Sequence, residues 1–267
     1  MTVLFDNIVN ARDLGGMPAA EGRTVRPHCL IRTAHLHDAT DNDIKRLIDE
    51  YKLKLIFDFR SLGEAQFLPD REVMGATPHL LPTIDMSEEK LTGQAIPQEA
   101  FLDLENHIVA YSFYPEVQQM AADMYPSLIR SEFSQLQYAT FMRLIIEAEE
   151  GGVLWHCFQG KDRTGWGAAF LLSALGVDRD AIIQDFDLSN RAYTDLVNRL
   201  CNEIAAQGGG DAEMDVVKAF LGVSTKNFKR TLNIIDQEFG GMMNYLKNQL
   251  FLTKEDVAHL RHRFLTV

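Results

Sequence analysis

The chain is predicted to be an α/β protein, a central parallel or mixed sheet flanked by helices, with a helical insertion and a helical C-terminal region. Two observations carry this. Short apolar, β-rich runs alternate with helical patterns through the first two-thirds of the 267 residues, and the pattern from Asn190 onward is almost wholly helical. A third concerns one segment: the apolar run VLWH (153–156) is followed by a glycine-bearing turn and then by an uncharged stretch, Thr164 to Val177. A helix apolar on most faces must be buried against a sheet.

The elements follow in order. CLIRT (29–33) reads as a short strand. Thr40, with Asp43 three residues later, has the form of a helix N-cap, opening an amphipathic helix through about Tyr51. KLIFDFR (54–60) is a β-rich strand ending in charges, and HLLPTI (79–84) reads as another. From Asp85 to about Pro115 the text is irregular, which in a compact domain points to an insertion or lid; the expected insertion spans about 85–130 of a single domain, 1–267. Two helical patterns fill 116–149. Gly151 and Gly152 end the second, and VLWH is a buried strand. Arg163 to Leu175 is a helix with Gly176 as its C-cap, and Asp178 caps the next. Gly208 to Gly210 and Gly240-Gly241 interrupt the helical remainder.

Composition narrows the function. A formal net charge of −12 argues against broad nucleic-acid binding, since phosphate backbones attract basic faces. Any anionic ligand must be met by a local positive site. The three cysteines, Cys29, Cys157 and Cys201, are too few and scattered for a disulfide framework, and no CxxC pair suggests zinc. The N-terminus shows no standard signal peptide, and the longest uncharged stretch is too short to cross a bilayer. A soluble, cytoplasmic protein is expected, although unconventional export leaves no mark in a sequence.

Cys157 stands at the end of the VLWH strand, six positions before Arg163. A strand, a glycine-bearing turn and a helix N-terminus make an anion site, because backbone N–H groups converge and the helix dipole adds positive charge. The turn Phe158, Gln159, Gly160, Lys161, Asp162 and Arg163 offers such groups to one phosphate. Arg163 can close the ring with two parallel bonds. Cys157 would lie beneath the phosphorus, where the same field favours its thiolate; lowering a thiol pKa from about 8.5 to about 5 is worth roughly 5 kcal/mol. The hydroxyl of Thr164 could hydrogen-bond the sulfur. A nucleotide-binding reading of GKDRT fails, because Trp155 replaces the first glycine of that motif and Asp162 its Ser or Thr. A zinc site at His156-Cys157 fails too, since adjacent strand residues point to opposite sides.

HCFQGKDRTG (156–165) resembles the HC-x5-R-[ST] signature of the cysteine-dependent protein tyrosine phosphatase superfamily. It is most similar to an atypical bacterial branch carrying HCxxGKDRTG. NARDLGG (10–16), LIRTAHL (30–36), IFDFRSLGE (56–64), DFDLSN (185–190) and NYLKNQLFLTKEDVAHLRHRFL (244–265) resemble the same branch, so the likeness runs over nearly the whole chain. It implies a phosphotyrosine-phosphatase-like fold and a two-step mechanism without cofactor or metal. The substrates it implies are phosphotyrosine, sometimes phosphoserine or phosphothreonine, and phosphoinositides. No movable Trp-Pro-Asp loop of the kind that supplies the acid in the commonest tyrosine phosphatases is seen.

Two carboxylates therefore compete as proton donor. Asp162 lies inside the anion loop and is the first choice by adjacency. Asp58 ends a strand that topology brings to the same sheet edge, with a salt bridge to Arg163 or Arg60 as its structural alternative. Lys161 could meet a second anionic group or be a solvated loop lysine. His156 is expected to shape the thiolate's surroundings, and Arg12 and Asp13 to form a structural ion pair rather than to fix the N-terminal segment near the site. Phe101, Tyr111, Phe113 and Tyr114 read as lid packing. The rival classes are a catalytically silent phosphate-binding module and a phosphorolytic or sulfur-transferring enzyme. Intact Cys157, Arg163 and Thr164 weigh against the first, and the arginine-closed loop, suited to a phosphate dianion, against the second.

Overall fold

The computed structural model describes residues 5–85, 116–148 and 150–266, with side chains in the second stretch from 123 onward. The expected insertion therefore lies largely outside the described residues, and with it Phe101, Tyr111, Phe113 and Tyr114. Among the described residues, five strands form one mixed sheet: β1 (Arg12–Asp13), β2 (Leu30–Thr33), β3 (Leu53–Asp58), β4 (Thr77–Leu80) and β5 (Gly152–His156), in the order β1-β2-β5-β3-β4. Only β1 runs antiparallel, against β2. β4 starts earlier than its apolar run suggested and stops before Pro82. It is an edge strand and tolerates Pro78, whose missing N–H faces away from the ladder.

Both faces of the sheet are covered, as the alternation of its strands requires. Val153, Trp155 and Phe57 join one core with α4 (Glu132–Glu147) and α5 (Asp162–Leu175). Leu154, Ile31 and Ile56 join the other, under α1 (Asp41–Asp49). The capping box of α1 forms as expected, Thr40 and Asp43 satisfying each other's backbone N–H. A short helix α2 (Leu62–Phe67) follows β3, opened by a second capping box between Ser61 and Glu64.

Before α4, α3 (Glu116–Arg130) leads from the undescribed stretch and packs on α4 and on two, Asp211–Leu221 and Thr225–Phe239, of the seven helices of the C-terminal region. Those are α6 (Arg179–Asp187), α7 (Ser189–Ala192), α8 (Thr194–Ala206), α9 (Asp211–Leu221), α10 (Thr225–Phe239), α11 (Met242–Asn248) and α12 (Lys254–Phe264). α8 and α9 form a hairpin with its own small core of Tyr193, Leu200, Ile204, Val217 and Leu221. Among the described residues, no helix is long and apolar enough to cross a membrane.

The register positions the site. Thr33 on β2, His156 on β5 and Asp58 on β3 lie side by side at the C-terminal edge of the parallel strands. Ligands of open α/β sheets bind at that edge.

Candidate active site

The loop 157–163 leaves β5 at this edge and enters α5, whose first turn has no side-chain cap. No side chain of the chain competes there for its orphan N–H groups, of which that of Thr164 reaches Cys157. Gly160 makes the turn possible: its φ is +66°, and a Cβ there would sit 2.3 Å from the Thr33 carbonyl oxygen.

The loop's carbonyls are pinned outward one after another. The Phe158 carbonyl accepts from the backbone N–H of His35 at 3.2 Å. That of Gln159 accepts from Asn10 Nδ2 at 3.0 Å and from the Tyr193 hydroxyl at 2.7 Å. The Gly160 carbonyl accepts from Asn10 Nδ2 at 2.9 Å and Arg32 Nη2 at 3.0 Å, and the Lys161 carbonyl from Arg32 Nη2 at 3.1 Å. A trans peptide is planar, so each carbonyl held outward turns the next residue's N–H to the opposite side. The N–H groups of Gln159, Gly160, Lys161 and Asp162 are thereby presented inward.

Asp185 fixes the residues that do the pinning. It accepts from Arg12 Nε at 2.9 Å and Arg32 Nη1 at 2.6 Å, while Arg12 also donates to Asn10 Oδ1 and, at 3.1 Å, to Ser189. Arg12 does not pair with Asp13, whose carboxylate instead accepts from the backbone N–H groups of Gly15 and His28. Asn10, Arg12, Arg32, Asp185 and Ser189 all belong to the motifs NARDLGG, LIRTAHL and DFDLSN. Those three distant stretches converge on the outward carbonyls of the loop.

Cys157 is 3% exposed. Burial pushes its thiol up, but the Arg163 charge and the hydroxyl and N–H of Thr164 outweigh it and bring the thiol below its usual range. Arg163 is aimed by Glu64, whose two oxygens accept from Nη1 at 2.7 Å and Nη2 at 2.8 Å. Burial opposes both charges, yet each stabilises the other. The guanidinium is held more firmly protonated, and the Glu64 carboxyl is brought down to about 2. The Tyr138 hydroxyl donates to the Arg163 carbonyl at 2.9 Å.

His156 is fully buried, with Nε2 2.9 Å from Asp70 and Nδ1 3.2 Å from the Cys157 carbonyl. Burial disfavours its charge, but Asp58 and Asp70 prevail and raise it to about 8. Asp58, Asp70 and His156 bring three possible metal ligands together. Arg60 already fills that cluster: its Nε and Nη2 bind Asp58 at 2.8 to 3.0 Å, and Nη2 lies 2.9 Å from Asp70. A cation entering there would meet a guanidinium.

The two candidate acids are placed differently. Asp58 has both oxygens engaged by Arg60, the salt-bridged alternative. Asp162, the first residue of α5, accepts from the Tyr125 hydroxyl through Oδ1 at 2.6 Å, and its Oδ2 lies 3.8 Å from Lys161 Nζ. Lys161 is not a solvated loop lysine: it is 2% exposed and donates to the carbonyls of Phe220 and Gly222 at 2.5 and 2.9 Å. The C-terminal end of α9 leaves those carbonyls without helical partners, so they accept from the buried ammonium.

Glu64, Asn10 and Arg32 stand in the stretches IFDFRSLGE, NARDLGG and LIRTAHL without having been singled out as site residues, and Tyr193 and Tyr125 stand in none of the quoted stretches. Glu64 carried one local signal, a Ser three residues before it, but that announced a helix cap rather than an arginine partner.

The chain is similar to known proteins over almost its full length. It is 32% identical over 264 residues to a protein of Cupriavidus necator named as a tyrosine-protein phosphatase, covering 98% of this chain and 87% of that one. It is 28% identical over 257 residues to the triple specificity protein phosphatase PtpB of Mycobacterium tuberculosis, covering 90% of each. A tyrosine-protein phosphatase of Nostoc commune is 24% identical over 249 residues, 92% of this chain and 77% of the other. Residues 3–266 match the model of the tyrosine phosphatase family, so the loop that carries Cys157 and Arg163 lies inside the matched span. With the sheet, the edge and the anion loop as described, the chain belongs to the tyrosine phosphatase family.

Proposed function

We propose that the protein hydrolyses phosphate monoesters through a phosphocysteine at Cys157, acting on phosphotyrosine in proteins, with phosphoserine and phosphothreonine as further substrates. The observation that carries this reading is the buried Cys157 thiol, lowered in pKa, at the foot of a loop whose carbonyls from Phe158 to Lys161 are fastened outward.

Bound phosphate is met by the inward N–H groups of Gln159 through Asp162 and by Arg163. The Cys157 thiolate attacks phosphorus; the S–P bond forms as the bond to the ester oxygen breaks. Asp162 gives its proton to that departing oxygen. Water then attacks the phosphocysteine, the Asp162 carboxylate takes its proton, and the S–P electron pair returns to sulfur. Thr164 supports the thiolate as it leaves, and His156 supports it from behind the loop. No metal takes part, because Arg163 and the amides meet the charge. EDTA should leave the rate unchanged, and inhibition reversed by added metal would contradict this.

Within the class, phosphoinositides are the second reading. The name of the M. tuberculosis relative, a triple specificity phosphatase, favours breadth. Steady-state kcat/KM against phosphotyrosine peptides, phosphoserine peptides and phosphoinositides in parallel tests the choice. Highest values on phosphotyrosine peptides are expected; highest values on the lipid series would move the assignment to the second reading. A site that bound phosphate and turned over neither series would be a silent binding module.

A further inference from the structure

Asp162 is the proposed proton donor, and the role inferred for Tyr125 rests on that reading. A carboxyl group has two oxygens, and only one delivers the proton. The environment of Asp162 distinguishes them. Oδ1 accepts from the Tyr125 hydroxyl at 2.6 Å, the length of a charge-assisted bond between a phenol and a carboxylate. The phenol oxygen is in turn met by the backbone N–H of Ser224 at 3.4 Å. With an N–H pointing at its oxygen, the phenol is oriented to donate toward Asp162. Tyr125 is buried, and burial together with the charge of Asp162 raises its ionisation well above the ordinary range, so it remains a donor. An oxygen that already accepts an O–H is a poor place for a second proton. Oδ2 is then the atom left to carry it.

We propose that Tyr125 is a positioning residue for proton donation, holding Asp162 through Oδ1 so that the transferable proton resides on Oδ2. Tyr125 reaches the loop from α3, and the residues 220–224 fasten its neighbours on the other side. Lys161 is bound to the carbonyls of Phe220 and Gly222, and Ser224 to the phenol. The acid is thus set by two elements outside the loop in which it lies. Its correct placement depends on α3 being docked against α9 and α10.

The test compares wild type, Tyr125→Phe, Asp162→Asn and the double variant on a series of aryl phosphates with progressively poorer leaving groups. Vanadate binding is measured on each as a check that the anion site stands. Phenylalanine keeps the ring that packs edge-on against Phe186 with centroids 6.0 Å apart. Tyr125→Phe should bind vanadate as wild type does and hydrolyse the most activated ester nearly normally. On the poorest leaving group it should lose on the order of tenfold. In the double variant the tyrosine change should add nothing to the loss caused by Asp162→Asn. An equal loss on every ester, a multiplicative loss in the double variant, or lost vanadate binding would each overturn the proposal and mark Tyr125 as structural support. If Asp162→Asn steepens the leaving-group dependence and Tyr125→Phe does not, this inference alone falls. If Asp162→Asn leaves the dependence unchanged, the donor assignment itself is wrong, and this inference is overturned with it.

Discussion

Glu64 binds Arg163 through both carboxylate oxygens, and their side chains are only 11% and 12% exposed. The pair joins the start of α2 to the start of α5 across two loops. A planar guanidinium held at both nitrogens has one orientation, which is what a fork for phosphate oxygens requires.

Glu64→Gln should therefore damage activity as much as it damages stability. The amide can accept one of the two bonds and leaves a buried guanidinium short of a counter-charge. A loss of about 3 kcal/mol is expected in chemical denaturation. Misaiming the fork should cost on the order of a hundredfold in kcat/KM. Arg163→Lys should be at least as harmful, since a point charge does not replace two parallel bonds. Activity within a few-fold of wild type in either variant would show that Arg163 does not hold the transferring group.

Asp162→Asn and Asp58→Asn should behave differently. A proton donor matters most for a poor leaving group. Asp162→Asn should spare the first, aryl-releasing step on activated aryl phosphates, slow that step by about 10²-fold on unactivated ones, and lose the basic limb of the pH profile. Asp58→Asn frees Arg60 from its bidentate partner and should lower all rates evenly. The opposite pattern in the two variants would transfer the donor role to Asp58.

His156 makes stability depend on pH on the alkaline side. Its pKa is raised from 6.5 to about 8, so the native state holds the proton more tightly than the unfolded chain. The contribution is complete below 6.5 and disappears as pH rises through about 8, amounting to about 2 kcal/mol. Thermal melts of wild type and His156→Gln across that window should converge as pH increases. A constant difference at all pH values would show that His156 is not charged in the fold.

The anion loop was legible in sequence because it is local: strand end, Cys157, turn, Arg163 and helix lie within one short run. The capped helix at Thr40 was legible for the same reason. Contacts that depend on topology were not. Glu64 is 99 positions from Arg163, and Asn10 is 150 from Gly160. Which stretch reaches the loop is decided by the strand order and by the antiparallel β1, only two residues long and too short to show a period. The partners of Lys161 were not legible for a physical reason: a lysine in a turn suits water or a ligand equally, and nothing nearby foretells the carbonyls of Phe220 and Gly222 that it reaches.

The claim on which the rest depends is that phosphate passes through sulfur. Acid-quenched enzyme taken during turnover, using Asp162→Asn to slow release of the intermediate, can be digested and its peptides weighed. The peptide containing Cys157 should carry one additional phosphoryl group, absent from Cys157→Ser, which should bind vanadate but turn nothing over. Turnover retained by Cys157→Ser, or a phosphoryl group found on another residue, would contradict the account.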